Sequence, residues 1–190
     1  MVTTESLPRN RVMRAVTVSR VPLPDDAQAL SDLARFDYTD AFIVDAGVDR
    51  TPEEWINAML RDTPLAVRAQ LVAGWTALGL KLGAPWSQSG VLGWRVQRND
   101  PRVLLLTAGS RFGLQGQLLA RSLPGGLLFA TFVQLHNPVA RTVWSRITPH
   151  HQHVVGSLLH QAGRRLAQRE DSAAGSEQVA HEPKSAFARR

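Results

Sequence analysis

Four of the six histidines lie between His150 and His160, and imidazole is the side chain that most readily moves a proton or binds a metal near neutral pH. His150 and His153 have a spacing that allows two side chains of one helix to share a metal ion. No third ligand is evident, because His160 lies about 10 Å further along the helix than His153. We interpret these histidines as residues of a polar helix face and predict no metal site.

His151 differs from its neighbours, because its helical angle falls within the apolar stripe that contains Val154, Val155 and Leu158. We expect its side chain to face a sheet. It can be a core histidine hydrogen-bonded to a strand carbonyl or to Thr131. It can equally be a polar contact in a pocket, which binds a ligand carbonyl or acts as a general acid or base.

The other candidate residues belong to the walls of such a pocket. Thr131 is the one polar residue on an otherwise apolar strand face, Trp94 lies on the inward face of its strand, and Trp144 lies on the last helix. A purely structural role also fits each of them, since tryptophans bury large apolar areas. The predicted ligand-contacting residues are His151, Thr131, Trp94, Trp144, Phe112, Leu114, Phe129 and Val133.

Several kinds of catalytic site are absent from the sequence. There is no nucleophile-elbow, Walker or dinucleotide-binding glycine pattern. The chain has no cysteine, which excludes a thiol nucleophile and a cysteine-ligated metal. Residues 101–169 contain no acid, which argues against paired-carboxylate chemistry unless the N-terminal segment supplies a carboxylate. We predict no cofactor.

The elements that must position these residues follow one another closely in the second half of the chain. Residues 41–44 form a short apolar strand, and Thr51 and Glu54 have the spacing of a helix capping box. A second helix with a broad apolar face follows Thr63-Pro64. Alternating polar and apolar residues then predict an antiparallel sheet that is wet on one side. Its four strands are 91–97, 102–110, 112–121 and 127–136.

A long amphipathic helix ends the ordered region. Asn137 caps it and Pro138 takes its first turn. Pro149 is expected to break it into segments 138–147 and 149–169, because an interior proline removes a hydrogen bond. We predict an N-terminal arm (1–36), one domain (37–169) and a disordered tail (170–190).

The order of these elements resembles that of the helix-grip superfamily, which includes START-like and polyketide cyclase-like (SRPBCC) proteins. The segment Asn137-Pro138-Val139-Ala140-Arg141, followed by Trp144 and Pro149-His150-His151, also resembles the ending of one bacterial branch of unknown function. The resemblance covers about residues 38–168. It implies an α+β fold in which a curved antiparallel sheet wraps around a long C-terminal helix, with two short helices after the first strand. It also implies a cavity between sheet and helix, and it implies no activity.

Charge is distributed unevenly along the chain. Residues 25–62 hold ten acids, whereas residues 101–169 hold eight arginines and no acid. This asymmetry fits either an anionic partner or the docking of the acidic segment on the basic sheet within one molecule. The near-absence of lysine and of exposed aromatic clusters favours the second interpretation and argues against a nucleic-acid partner.

Three functions are consistent with these features. The first is non-enzymatic binding of a hydrophobic small molecule in the sheet–helix cavity. The second is a cyclase, dehydratase or isomerase of polyketide-like substrates with His151 as acid/base, and the third is an interaction module that uses the basic arginine face. No apolar run is long enough to span a membrane, and no signal-peptide core is present, so we expect a cytoplasmic protein. The sequence leaves the oligomeric state open.

Overall fold

The computed structural model describes residues 15–84 and 90–180, with side chains up to residue 173. One antiparallel sheet and one long helix dominate this part of the chain. The strands are β1 (Thr17–Val21), β2 (Tyr38–Asp45), β3 (Gly90–Val91), β4 (Trp94–Asp100), β5 (Val103–Gly109), β6 (Leu114–Leu123) and β7 (Gly126–Leu135). The helices are α1 (Asp25–Gln28), α2 (Pro52–Ile56), which continues as a π-helical turn (Asn57–Arg61), α3 (Leu65–Ala77) and α4 (Pro138–Ala180).

The sheet has the strand order β1-β2-β7-β6-β5-β4-β3, and every neighbouring pair is antiparallel. Strands β3 to β7 follow one another as a meander, and β2 closes the meander by pairing with β7. The sheet is curved, and α4 lies against its inner face. The predicted α+β fold, a curved antiparallel sheet with a long C-terminal helix and short helices early in the chain, is confirmed.

The predicted strand 91–97 is in fact two strands joined by a tight turn. Gly90 pairs with Arg95 and Val91 with Trp94, so Leu92 and Gly93 form a two-residue hairpin loop. Their φ angles are 49° and 88°, as a turn with two left-handed residues requires. The sequence pattern did not indicate this turn, because leucine is uncommon at the first position of such a turn. Five strands therefore follow the helix pair, and not four.

The predicted strand 112–121 begins two residues later than expected. Phe112 belongs to the turn between β5 and β6, and its side chain is 61% exposed. Gly113 has a φ of 82°, which ends the turn and reverses the chain into Leu114. Phe112 therefore lies outside the inner face to which the alternating pattern assigned it.

The last helix is continuous from Pro138 to Ala180, so the predicted break at Pro149 is wrong. An interior proline removes a backbone hydrogen bond and crowds the carbonyl four residues earlier, and packing on both sides of Pro149 offsets that cost. Trp144 before it and Val155 after it are both buried against the sheet side. The helix also continues past Arg169, where we expected its end.

Both faces of the sheet are covered at its central strands β5, β6 and β7, which corrects the prediction of one wet face. Inner-face residues of β2, β5, β6 and β7 pack with α2, the π-helical turn and α4. On the outer face, Leu105, Leu128 and Phe132 pack with Ala27 and Leu33 of the N-terminal segment. As a result, all ten residues of β7 are buried. The limits of the three predicted regions (1–36, 37–169 and 170–190) stay a prediction.

The helices that precede the meander differ in how firmly they pack. The capping box at Thr51 and Glu54 is present, and Trp55 and Ile56 of α2 are buried. In contrast, α3 buries none of its side chains, and Leu65 at its start is 73% exposed. The apolar face predicted for α3 is only half-buried, so this helix is a thin cover beside the inner face of the sheet.

Candidate functional site

A buried carboxylate lies on the inner face of β2. Asp40, Phe42 and Val44 alternate along this strand and share the face that packs toward α4, and Asp40 is only 3% exposed. Burial of a charged group in an otherwise apolar core costs free energy unless the group is paired and hydrogen-bonded. The partners of Asp40 therefore define the site.

Side chains of β2 and α4 contact this carboxylate, and a third side chain holds one of them. Tyr38, two residues earlier on β2, donates its hydroxyl proton to Asp40 Oδ2 over 2.6 Å. His151 of α4 places Nε2 3.4 Å from the same oxygen. Gln152, the next residue of α4, donates from Nε2 to the Tyr38 hydroxyl over 3.0 Å. The contacts join the middle of α4 to β2, next to the edge strand β1.

Thr131 and Trp144 complete the site. Thr131 of β7 lies directly opposite Asp40 in the β2–β7 register, and it is 3% exposed. The Trp144 ring packs against Tyr38 and His151, with ring centres 5.2 Å and 5.3 Å away. We call Tyr38, Asp40, Thr131, Trp144 and His151 the inner polar cluster.

Four buried polar atoms of this cluster have no well-aligned hydrogen bond to any described residue. They are Asp40 Oδ1, Thr131 Oγ1, Trp144 Nε1 and His151 Nε2. The His151–Asp40 contact, at 3.4 Å, is therefore not a well-aligned hydrogen bond. Most buried polar groups in proteins are paired, so these four atoms have unused hydrogen-bonding capacity.

The electrostatics of the cluster favour an ionised Asp40. Burial alone raises the pKa of Asp40, but contacts with His151, and further with Tyr38 and Thr131, more than offset it and lower the pKa below its usual value. Burial, together with the hydrogen bond to Asp40, raises the pKa of the Tyr38 hydroxyl. At neutral pH the cluster therefore contains a carboxylate acceptor beside a neutral phenol.

The structure brings some of the predicted site residues together and separates others. His151, Thr131 and Trp144 meet in the inner polar cluster. Phe129, Val133 and Leu114 are buried on the same inner face, around the cluster. Phe112 lies outside, and Trp94 lies on the far side of the inner face.

The position of Trp94 follows from small residues of the sheet. A Cβ atom on Gly116 of β6 would lie 3.3 Å from Cη2 of Trp94, so the indole lies over this glycine. Gly116 pairs with Val133, and Val133 pairs with Tyr38. Two strand spacings, about 10 Å, therefore separate the Trp94 ring from the inner polar cluster. Trp75 of α3 packs edge-on against Trp94 with ring centres 5.6 Å apart.

Sequence reasoning missed Asp40 and Tyr38. The strand was predicted to begin at Ala41, because both residues precede the apolar run. A signal was nevertheless present, since Tyr38 and Asp40 continue the alternation of Phe42 and Val44 toward the N-terminus.

Two cavities stand out among the described residues, and neither is lined by the inner polar cluster. The larger, of about 390 Å³, is lined by Trp94 together with Lys81, Arg95 and Thr107 at the β4–β5 side of the sheet. The smaller, of about 280 Å³, lies between Val16 and the part of α4 near Arg164. Trp94 is thus the one predicted site residue that lines the larger cavity.

The acidic N-terminal half of the chain contacts arginines of its second half. Arg121 pairs with Asp26 over 2.6 Å, and Arg169 pairs with Asp62 over 2.8 Å. Arg141 lies 3.8 Å from Asp37. These pairs support the intramolecular interpretation of the charge asymmetry.

Comparisons with known proteins give a likeness to solved structures. No family model and no curated protein matches the chain. A solved structure, CalU16 from Micromonospora echinospora, is similar over 85% of this chain and 97% of that one, with a TM-score of 0.33 and 12% sequence identity. No helix in the described part of the chain has the length and apolar character needed to cross a membrane. Among residues 15–84 and 90–180, no group of three or more His, Asp and Glu side chains could hold a metal ion.

Proposed function

We propose that this protein binds a small, largely apolar molecule between the inner face of the sheet and helices α3 and α4. The observation that carries the proposal is the inner polar cluster, which places free donors and acceptors on a face that is otherwise apolar. Ligand sites in proteins typically combine apolar walls with a few placed polar groups. Phe129, Val133 and Leu114 would supply the walls, and His151 and Thr131 would orient the ligand.

The loose packing of α3 supports a route by which a ligand would reach this site. All side chains of α3 remain at least partly exposed, and segments with few buried contacts open at low free-energy cost. Trp75 and Trp94 lie between α3 and the sheet. Displacement of α3 with Trp75 would connect the larger cavity beside Trp94 to the inner polar cluster.

Native mass spectrometry of the protein purified from its own host tests the proposal. We expect a small molecule to co-purify, and we expect the extracted molecule to raise the melting temperature of the ligand-free protein. His151→Phe should weaken this shift, whereas His153→Phe, an exposed position of the same helix, should not. Absence of any co-purifying molecule, together with no thermal shift across a library of apolar compounds, would contradict the proposal.

The Asp40–His151 contact favours one second candidate, proton-transfer chemistry on a bound substrate. A buried carboxylate beside an imidazole orients the ring and stabilises its protonated form, as general acid–base catalysis by histidine requires. The reaction would be a cyclisation, dehydration or isomerisation with His151 as acid/base. Product formation that His151→Gln abolishes would support it, and binding without any turnover would exclude it.

A further inference from the structure

We infer that the ligand of the inner polar cluster is a neutral aromatic molecule with a free hydroxyl group, and that Asp40 recognises this hydroxyl. The inference rests on the proposed function, because it names the chemical class of molecule that the site would bind.

The hydrogen-bonding state of Asp40 sets the first requirement. One carboxylate oxygen contacts Tyr38 and His151, and the other, Oδ1, has no well-aligned hydrogen bond to any described residue, the facing Thr131 included. A carboxylate only accepts hydrogen bonds. The group that binds there must therefore donate a proton, as a hydroxyl or an N–H group does.

Thr131 and Trp144 set the second requirement. Thr131 Oγ1 lies across the strand pair from Asp40 and can donate, and Trp144 Nε1 is a buried donor. A ligand group beside them should also accept a hydrogen bond. A hydroxyl both donates and accepts, whereas an ammonium group only donates and an ether or ketone only accepts.

The negative charge of Asp40 argues against a third kind of ligand group, the carboxylate. A ligand carboxylate would lie beside the carboxylate of Asp40 in a buried site, where like charges repel strongly. A ligand with an anionic end is therefore disfavoured. The rings of Tyr38 and Trp144 and the buried Phe129 form the surrounding surface, and aromatic rings pack favourably against such side chains.

Three matched probes test the inference: 2-naphthol, 2-methoxynaphthalene and 2-naphthoate, each titrated into the full chain by calorimetry. We expect 2-naphthol to bind at least about tenfold more tightly than either analogue, because each analogue leaves Asp40 Oδ1 unpaired or repels it. In Asp40→Asn the side chain can donate, so the preference for 2-naphthol over 2-methoxynaphthalene should disappear. Asp45→Asn, an exposed position of the same strand, should retain the preference.

A second variant keeps the test decisive if Asp40→Asn does not fold. Thr131→Val should weaken 2-naphthol at least about threefold and leave 2-methoxynaphthalene unchanged, whereas Thr63→Val, a buried threonine outside the cluster, should change neither. Equal or tighter binding of the methoxy or carboxylate probe to the wild type would overturn the ligand class and leave the proposed function standing. Failure of all three probes to bind would count against the proposed function as well.

Discussion

Asp40 is the least expected residue of the inner face, because aspartate rarely enters a protein core without a full set of partners. Its contacts with His151, Tyr38 and Thr131 outweigh the effect of burial on its pKa, although Oδ1 has no well-aligned hydrogen bond. A buried ion pair is weak evidence for stability, and an apolar pair of similar size is often more stable. The presence of Asp40 is therefore better explained by ligand binding than by a contribution to the stability of the fold.

The single tyrosine of the chain reports directly on this cluster. Burial and the hydrogen bond to Asp40 raise the pKa of Tyr38, so its phenol should ionise well above the usual pH of about 10. The stabilisation linked to the neutral phenol is fully present below that usual pKa and is lost as the pH rises through the folded-state pKa. Absorbance of tyrosinate during an alkaline titration measures the transition.

In Asp40→Asn we expect this transition to move to lower pH, because the negative neighbour is gone. It should stay above the usual value, because burial is the larger cause. A wild-type transition near the usual pH would show that Tyr38 is not buried against Asp40.

Asp40 itself predicts a dependence of stability on acid. Its pKa is lower in the folded protein than its usual 3.8, so its contribution is present above the unfolded-state pKa and is lost as the pH falls through the folded-state pKa. In His151→Phe the largest lowering contact is removed and burial dominates. The pKa of Asp40 then rises above its usual value, so protonation of Asp40 no longer lowers the stability of the folded state. As the pH falls from neutral to below 3.8, the free energy of unfolding, followed by circular dichroism in urea, should therefore decrease less in His151→Phe than in the wild type. His153→Phe should lose as much stability as the wild type, and an equal loss in His151→Phe would contradict the assignment.

The sequence predicted part of this site and missed part of it, for physical reasons. His151, Thr131 and Trp144 were predicted because each interrupts or continues a clear helical or strand period. Asp40 was not, because an acid at the start of a strand looks the same whether it faces water or a histidine more than a hundred residues later. Phe112 was misplaced because the strand period was extended through Gly113, where the chain turns.

At the scale of elements, the sequence predicted β5, β6 and β7 to within about two residues. β5 was predicted as a run that is apolar on both faces, and β6 and β7 were predicted from their alternation. The merged β3 and β4 and the unbroken α4 show where local rules fail. Leu92 adopts a left-handed conformation that leucine rarely takes, and neighbours on the hairpin hold it there. Pro149 is tolerated because packing on both sides keeps the helix in register.

Pro149 predicts a stability change in α4. An interior proline is about 3 kcal/mol less favourable in a helix than alanine, so Pro149→Ala should raise the free energy of unfolding by about 1–3 kcal/mol. Urea unfolding measures the change, and His150→Ala at the adjacent exposed position should remain within about 0.5 kcal/mol of the wild type. Lower stability in Pro149→Ala would mean that the proline geometry is needed to seat α4. Higher stability with weaker ligand binding would mean that the proline positions His151.

At the scale of the whole molecule, the N-terminal segment converts a sheet with one apolar side into a sheet buried on both sides. Gln117, fully buried on the outer face, accepts a hydrogen bond from Ser31 over 2.6 Å and also bonds Asp32. Sequence patterns could not reveal that this segment packs on the outer face. A polar residue such as Gln117 looks solvent-exposed in the sequence, because its hydrogen-bonding partners lie in a distant segment. The prediction of a wet face failed for that reason.

Leu33 provides the test of this cover. The side chain is 8% exposed and packs on the outer face, so Leu33→Ala should lower the free energy of unfolding by about 2–4 kcal/mol. Binding of a fluorescent hydrophobic dye should increase as the segment loosens. Leu65→Ala, at a leucine that is 73% exposed, should have little effect on either measurement. A Leu33→Ala protein as stable as the wild type would show that the segment is dispensable.

The pairing of β2 with β7 also constrains the order in which the chain can assemble during synthesis. β2 leaves the ribosome early, yet its main hydrogen-bonding neighbour is the last strand of the meander. Until that strand emerges, the backbone groups of residues 38–45 that face β7 lack their native partner, and Asp40 has neither Thr131 nor His151 beside it. The polar cluster is therefore completed only after the middle of α4 has been translated, which makes nascent chains stalled before that point favourable targets for chaperones.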